Sequence, residues 1–179
     1  MINWSQDSYL EAYRFAAEAH QGQQYPGTTI SYIMHLSFVS MEVLAALANH
    51  SEMDGDLAVK CALLHDVLED TAVSADTLEA TFGTDVFNGV AALTKDKDLP
   101  KKASMADSLA RIQQQPKEVW IVKLADRISN LSRPPQHWNR EKIAAYRQEA
   151  IQIYDALHEA SDFLAKRLNE RIEAYQQYV

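Results

Sequence analysis

Apolar positions in this chain recur at the 3.6-residue spacing of amphipathic helices, and stretches that alternate apolar with polar residues are hard to find. Glycine and proline, five of each, punctuate the intervals between long periodic stretches. The pattern predicts an all-α fold. Asp7 or Ser8 is placed to cap a first helix carrying Leu10, Tyr13, Phe15, Ala16 and Ala19, and the stretch Gly22 to Gly27 closes it as a loop. A second helix is expected from about His35 to Ala48, and a third, capped by Asp54 or Asp56, from Leu57 to about Leu68.

Ser74 opens a short helix through Thr81 that Gly83 stops, and Thr84 or Asp85 starts another through Leu93. The lysine-rich stretch Lys95 to Lys102, containing Pro100, reads as a loop. Further helices are expected over Ser104 to Gln114, Lys117 to Leu131, Arg140 to Leu157 and Ser161 to Tyr178, with Pro116 in the first turn of the second of these.

Composition narrows this picture. At 179 residues and 47% apolar side chains, the expectation is one domain spanning 1–179 that buries a core without disulfides. The opening Met-Ile-Asn-Trp-Ser-Gln-Asp lacks a basic leader followed by an apolar block, and no apolar run approaches the roughly 18 residues of a membrane span. A soluble, cytoplasmic chain with no membrane partner is therefore expected. The lone Cys61 sits in an apolar run and reads as core.

A net charge of −8 argues against binding nucleic acid. The charge is unevenly spread: between Lys95 and Arg133 nine lysines and arginines face five acids, giving +4 there and −12 elsewhere. That asymmetry suits a pocket for a small polyanion and equally suits ordinary solvated helix faces.

The segment Leu63-Leu64-His65-Asp66-Val67-Leu68-Glu69-Asp70-Thr71 sets four metal- or proton-handling side chains in an apolar helix. If the helix persists through Asp70, His65/Glu69 and Asp66/Asp70 stand at i,i+4 on one face. Ionised carboxylates beside apolar neighbours are costly unless paired or bound to metal. Adjacent helical residues diverge by about 100°, so His65 and Asp66 alone cannot complete a coordination sphere. His35 and Asp126, polar residues in apolar helices, are the candidates to complete it. Two imidazoles and two carboxylates suit manganese, iron or zinc better than calcium. Asp126 could equally pair with Lys123 or Arg127, and Glu69 and Asp70 could be plain helix-end acids, although acids there oppose the helix dipole. His20, His50, His137 and His158 lack matching neighbours and read as structural or exposed.

The order His35, His65-Asp66, Asp126 resembles the HD phosphohydrolase superfamily. The segments His20-Gln21-Gly22-Gln23, Tyr32-Ile33-Met34-His35, Leu64 to Thr71, Phe82-Gly83 and Val122 to Leu131 look like the hydrolase domain of Rel/Spo enzymes and free-standing small alarmone hydrolases, over residues 8–155. The resemblance implies an HD-type bundle of about eight to ten helices, with the helix over 161–178 packed on it. It also implies a manganese-dependent enzyme that removes the 3′-diphosphate of guanosine tetra- or pentaphosphate as pyrophosphate. By matching position, His35, His65, Asp66 and Asp126 would ligate the metal. Glu69 and Asp70 would orient and deprotonate water, and Asn130 would contact the nucleotide. Lys95, Lys97, Lys123 and Arg127 are further candidates for phosphate neutralisation. Where the family pattern carries Arg-Lys, this chain has Gln24-Tyr25, an aromatic able to stack on a base in place of a planar cation. Met34, Leu36 and Ser132-Arg133 are lesser departures. Guanine and adenine alarmones both remain open, as do another nucleotide phosphohydrolase and a non-catalytic nucleotide sensor; oligomeric state is not legible.

Overall fold

The run Val119 to Ile128 is where the core forms, because apart from Trp120 its residues are buried and even Lys123, Asp126 and Arg127 are drawn in. The computed structural model describes residues 3–179. Among these residues there are ten α-helices and two short 3-10 turns, and an isolated antiparallel bridge joins Gln24 to Ser31. The helices are α1 Gln6–Ala19, α2 Ile33–Leu47, α3 Gly55–Leu64, α4 Val67–Asp70, α5 Ala75–Phe82, α6 Thr84–Leu93, α7 Lys101–Ile112, α8 Lys117–Asn130, α9 Arg140–Leu157 and α10 Asp162–Tyr175. Helix α8 packs against α2, α3, α6, α9 and α10, while α1 covers the other side of α3.

Side-chain caps account for four of the helix starts. Asp54, Ser74, Asn139 and Ser161 each accept a backbone N–H of their own first turn. Gly83 ends α5 at φ 85°, a conformation that a side chain disfavours. The first helix starts earlier than Asp7. Its cap is Ser5, whose backbone N–H donates to Asp56 Oδ1 at 2.6 Å while the Ser8 hydroxyl donates to Asp56 Oδ2 at 3.1 Å. A contact with α3 thus chooses among three cap-competent residues. Helix α7 also starts early, directly after Pro100, so Lys101 and Lys102 belong to it and not to the preceding loop.

Helix α10 is tied to α2 by Arg167, which donates to both carboxylate oxygens of the buried Glu42. Cys61 is fully buried, and burial pushes its thiol up to about 12. Gly89 of α6 lies against it: a Cβ there would meet Cys61 Sγ at 2.7 Å and Val119 Cγ2 at 3.0 Å. Gly89→Ala is therefore expected to destabilise the fold by about 1–3 kcal/mol through overpacking. Urea midpoints measure this, and an unchanged midpoint would show that the two helices separate freely.

Candidate metal centre

Three stretches of the chain deliver four side chains to one place. His35 lies in the first turn of α2, His65 follows the last residue of α3, Asp66 precedes α4, and Asp126 lies in the third turn of α8. The helix expected to run to Leu68 instead breaks after Leu64. Asp66 has φ −101° and ψ −1°, the sparsely populated bridge region, and one further turn follows. The break alters the geometry that a continuous helix would impose. Neighbouring side chains that would diverge by about 100° here converge, with His65 Nε2 2.9 Å from Asp66 Oδ2. Asp70 keeps its relation to Asp66 through the backbone bond from Asp70 N–H to Asp66 O at 2.9 Å.

His35 Nε2 lies 3.6 Å from Asp66 Oδ2 and 3.5 Å from Asp126 Oδ1, and His65 Nε2 lies 3.8 Å from Asp126 Oδ1. Ligand-type atoms of His35, His65 and Asp126 all fall within 4.8 Å of one another. Each imidazole is oriented from behind. His65 Nδ1 is 2.9 Å from the Ala62 carbonyl, and His35 Nδ1 is 3.0 Å from Ser129 Oγ. A ring that donates through Nδ1 leaves the Nε2 lone pair free for a cation. His65 Nε2 is buried and has no hydrogen-bond partner, because Asp66 Oδ2 is near but misaligned. An orphaned, buried imidazole nitrogen facing two carboxylates is the donor chemistry that a divalent cation completes. The carboxylates are also held: Asp66 accepts from Tyr32 Oη at 2.5 Å, and Asp126 accepts from Lys123 Nζ at 3.0 Å and Asn130 Nδ2 at 2.6 Å.

Charge follows from this packing. Burial alone would lower the His35 pKa, but Asp126 and Asp66 outweigh it and raise it to about 9. Burial opposes ionisation of Asp66 and Asp126 too. The neighbouring histidines, joined at Asp126 by Lys123, nevertheless hold both well below the usual carboxylate range. Without a cation, protons therefore stand in for the missing positive charge. A histidine with a raised folded pKa stabilises fully below its unfolded value and loses that contribution as pH rises through the folded one. Chelator-treated protein is expected to lose stability from about pH 6.5 to about pH 9. Cation affinity should rise over the same interval as protons are displaced. Urea midpoints across this range, with and without cation, are the check; a metal-free protein insensitive to pH would contradict the arrangement.

Glu69 and Asp70 flank this cluster at the end of α4. Glu69 Oε2 accepts the Lys95 backbone N–H at 3.1 Å, Lys95 Nζ stands 3.9 Å from Oε1, and Lys97 Nζ donates to the Glu69 carbonyl at 2.6 Å. Asp70 is exposed, and partial burial with the nearby Asp66 and Glu69 raises its pKa. Asn130, while donating to Asp126, accepts from the Tyr25 hydroxyl at 3.4 Å. That pair opens onto a cleft of about 870 Å³ lined by Tyr25, Asn130, Arg133, His137, Trp138 and Tyr146 among others. Gln24 is exposed and outside the cleft lining. Lys123 is spent on Asp126, and Arg127 is buried over the Tyr146 ring at 4.2 Å with Glu149 3.4 Å away, so both are structurally engaged. His20, Gln23, Tyr32 and Ser129 are the supporting residues that local reasoning passed over. All four lay inside segments that carried the family resemblance, which was the available signal.

A family model described as the HD domain matches residues 12–162. The chain belongs to the HD domain family. Zebrafish guanosine-3′,5′-bis(diphosphate) 3′-pyrophosphohydrolase MESH1 is 30% identical over 168 residues, covering 90% of each chain. A Vibrio cholerae guanosine-3′,5′-bis(diphosphate) 3′-pyrophosphohydrolase is 33% identical over 158 residues, covering 84% of this chain and 21% of that longer protein. A solved structure described as a metazoan ortholog of SpoT that hydrolyses ppGpp superposes with a TM-score of 0.81 at 27% identity, covering 96% and 97% of the two chains. The all-α HD-type fold is thus shown, and this HD domain has the donor set that a divalent metal requires. Among the described residues no helix is long and apolar enough to cross a membrane.

Proposed function

We propose that this HD domain is a manganese-dependent 3′-pyrophosphohydrolase of guanosine tetra- and pentaphosphate. The observation that carries the reading is the cluster of buried His35, His65 and Asp126 with the half-buried Asp66, standing next to Glu69–Asp70 and opening, through Asn130 and Tyr25, onto a nucleotide-sized cleft. The relatives' names supply the substrate class. Bound at the cluster, a divalent cation lowers the pKa of water and polarises a phosphoryl oxygen.

The chain's own residues do the rest. Water bonds to the phosphorus attached to the ribose 3′ oxygen, that P–O bond breaks, pyrophosphate departs and the 3′ oxygen gains a proton. Asp70, with its raised pKa, suits the role of proton acceptor. Glu69, fixed by the Lys95 backbone, lies beside it and orients the water. Lys95 and Lys97 stand on the same flank, where a diphosphate would add negative charge. Tyr25, Trp138 and Tyr146 offer aromatic faces to a base in the cleft. A cytoplasmic location belongs to this reading, and the lone buried thiol is compatible with a reducing compartment.

One observation favours a second substrate. No carboxylate lines the cleft among the described residues, so nothing acidic is offered to the N1–H and 2-amino group that distinguish guanine. Adenosine 3′-diphosphates are therefore the second reading. The test is product analysis after manganese reconstitution: guanosine tetraphosphate should give GDP and pyrophosphate in equal amounts. Orthophosphate alone, or no turnover, would overturn the proposal, and the adenosine analogue run in parallel decides the base.

A further inference from the structure

His20 and Gln23 lie behind the reactive cluster and have no part in the scheme above. His20 is buried, its ring stacked on Tyr32 with centroids 4.9 Å apart and planes 26° from parallel. Its Nδ1 is 2.7 Å from Gln23 Oε1, and its Nε2 is buried without a hydrogen-bond partner. An apolar side chain would fill this position without burying an unpaired nitrogen, so packing alone does not account for a histidine here.

The local backbone brings the two residues together. Gly22 turns the chain at φ 82°, Gln23 N–H donates to His20 O at 3.0 Å, and Tyr32 N–H donates to Gln23 O at 3.0 Å. His20, Gln23 and Tyr32 thereby form one hydrogen-bonded unit. It reaches the cluster at two points. The Tyr32 hydroxyl donates to Asp66, and the Gln23 side chain lies close enough to Asp70 to favour its ionised form. With Oε1 of Gln23 taken by the His20 Nδ1–H, the Gln23 amide can face Asp70 only with its NH₂ group. A free Gln23 could rotate and present an oxygen to the carboxylate instead.

We propose that His20 is a positioning residue: by holding the Gln23 amide in one orientation and the Tyr32 ring in place, it sets the Asp70 and Asp66 carboxylates for the reaction. The proposal rests on the pyrophosphohydrolase reading for its assay. Wild-type turnover, measured alongside, separates the two: an inactive wild type overturns the functional reading, whereas an active wild type indifferent to His20 overturns this one.

The experiment is a double-mutant cycle on the manganese-loaded full chain, reading kcat, KM and melting temperature. His20→Ala is expected to lower kcat about 10- to 100-fold, the range typical of residues that orient reactive groups, with KM changed less than about threefold. Gln23→Ala should cost a similar factor, and the double variant should be no worse than either alone. His20→Asn, whose amide nitrogen can take the place of Nδ1, should recover to within about threefold of wild type. His20→Gln, which sets its donor at the Nε2 position, should not. Multiplicative losses in the double variant, equal behaviour of Asn and Gln, or a kcat loss that only tracks melting temperature would overturn the proposal. If His20→Ala does not fold, the Asn and Gln pair together with Gln23→Ala decides it.

Discussion

Replacing Asp126 with asparagine is expected to strip the protein of its cation and lower turnover by about 10³-fold or more. A cation contributes several kcal/mol of transition-state charge stabilisation, and about 1.4 kcal/mol corresponds to a tenfold change in rate. Asp126 is the point at which the site is joined: one oxygen faces both imidazoles and Asn130, and the other holds Lys123. Asparagine keeps the shape and loses the charge. It also leaves the buried Lys123 ammonium without its carboxylate, which should cost stability on the order of a few kcal/mol. His65→Gln removes a ligand while leaving the Asp126–Lys123 pair intact, so it should lose metal and turnover with a smaller fall in melting temperature than Asp126→Asn. Metal analysis, turnover and melting temperature on both variants test this; an Asp126→Asn protein that retains stoichiometric metal would contradict it.

Asp70→Asn should lower kcat by about 10²-fold or more, since an amide can hydrogen-bond water but cannot take its proton. The metal should remain bound, because His35, His65, Asp66 and Asp126 are untouched. A proton acceptor works in its ionised form, so wild-type kcat should fall as pH drops through the raised Asp70 pKa. The variant should lack that acid limb. Glu69→Gln should also lower kcat while preserving substrate affinity, although a glutamine oxygen can still accept the Lys95 N–H. Single-turnover rates with metal content measured on the same samples give the answer, and an Asp70→Asn enzyme with an unchanged kcat would remove Asp70 from the chemistry. Retained binding with no catalysis in the wild type would instead favour a sensor.

Periodicity and caps made most of the fold legible before any coordinates. The boundaries at Gly83, Arg140 and Leu157 fall where glycine, an asparagine cap and the end of an apolar period put them. What sequence could not show was decided by tertiary contact. Nothing local distinguishes Ser5 from Asp7 or Ser8 as a cap; Asp56, some fifty residues away, does. The break at His65-Asp66 is equally silent, because Val67 and Leu68 continue the apolar pattern without glycine or proline. The break is nonetheless what brings His65 Nε2 to Asp66 Oδ2.

For the site, polar residues in apolar helices pointed to His35 and Asp126, and the structure brings both to the doublet. Charge reasoning was a poorer guide. Arg127 and Lys123 looked available for phosphate, yet their helix is the central one, so each is turned into the interior and paired there. His20 read as structural or exposed, and it is buried; its partners Gln23 and Tyr32 were not legible, because they are assembled by a loop that periodicity does not describe.

The central claim is that His35, His65, Asp66 and Asp126 hold one divalent cation. Anomalous diffraction at the manganese edge, from crystals of the manganese-loaded protein, tests it most directly. A single peak enclosed by the two Nε2 atoms and the Asp66 and Asp126 carboxylates is the predicted result. A peak elsewhere, or an empty cluster in fully loaded protein, would contradict it.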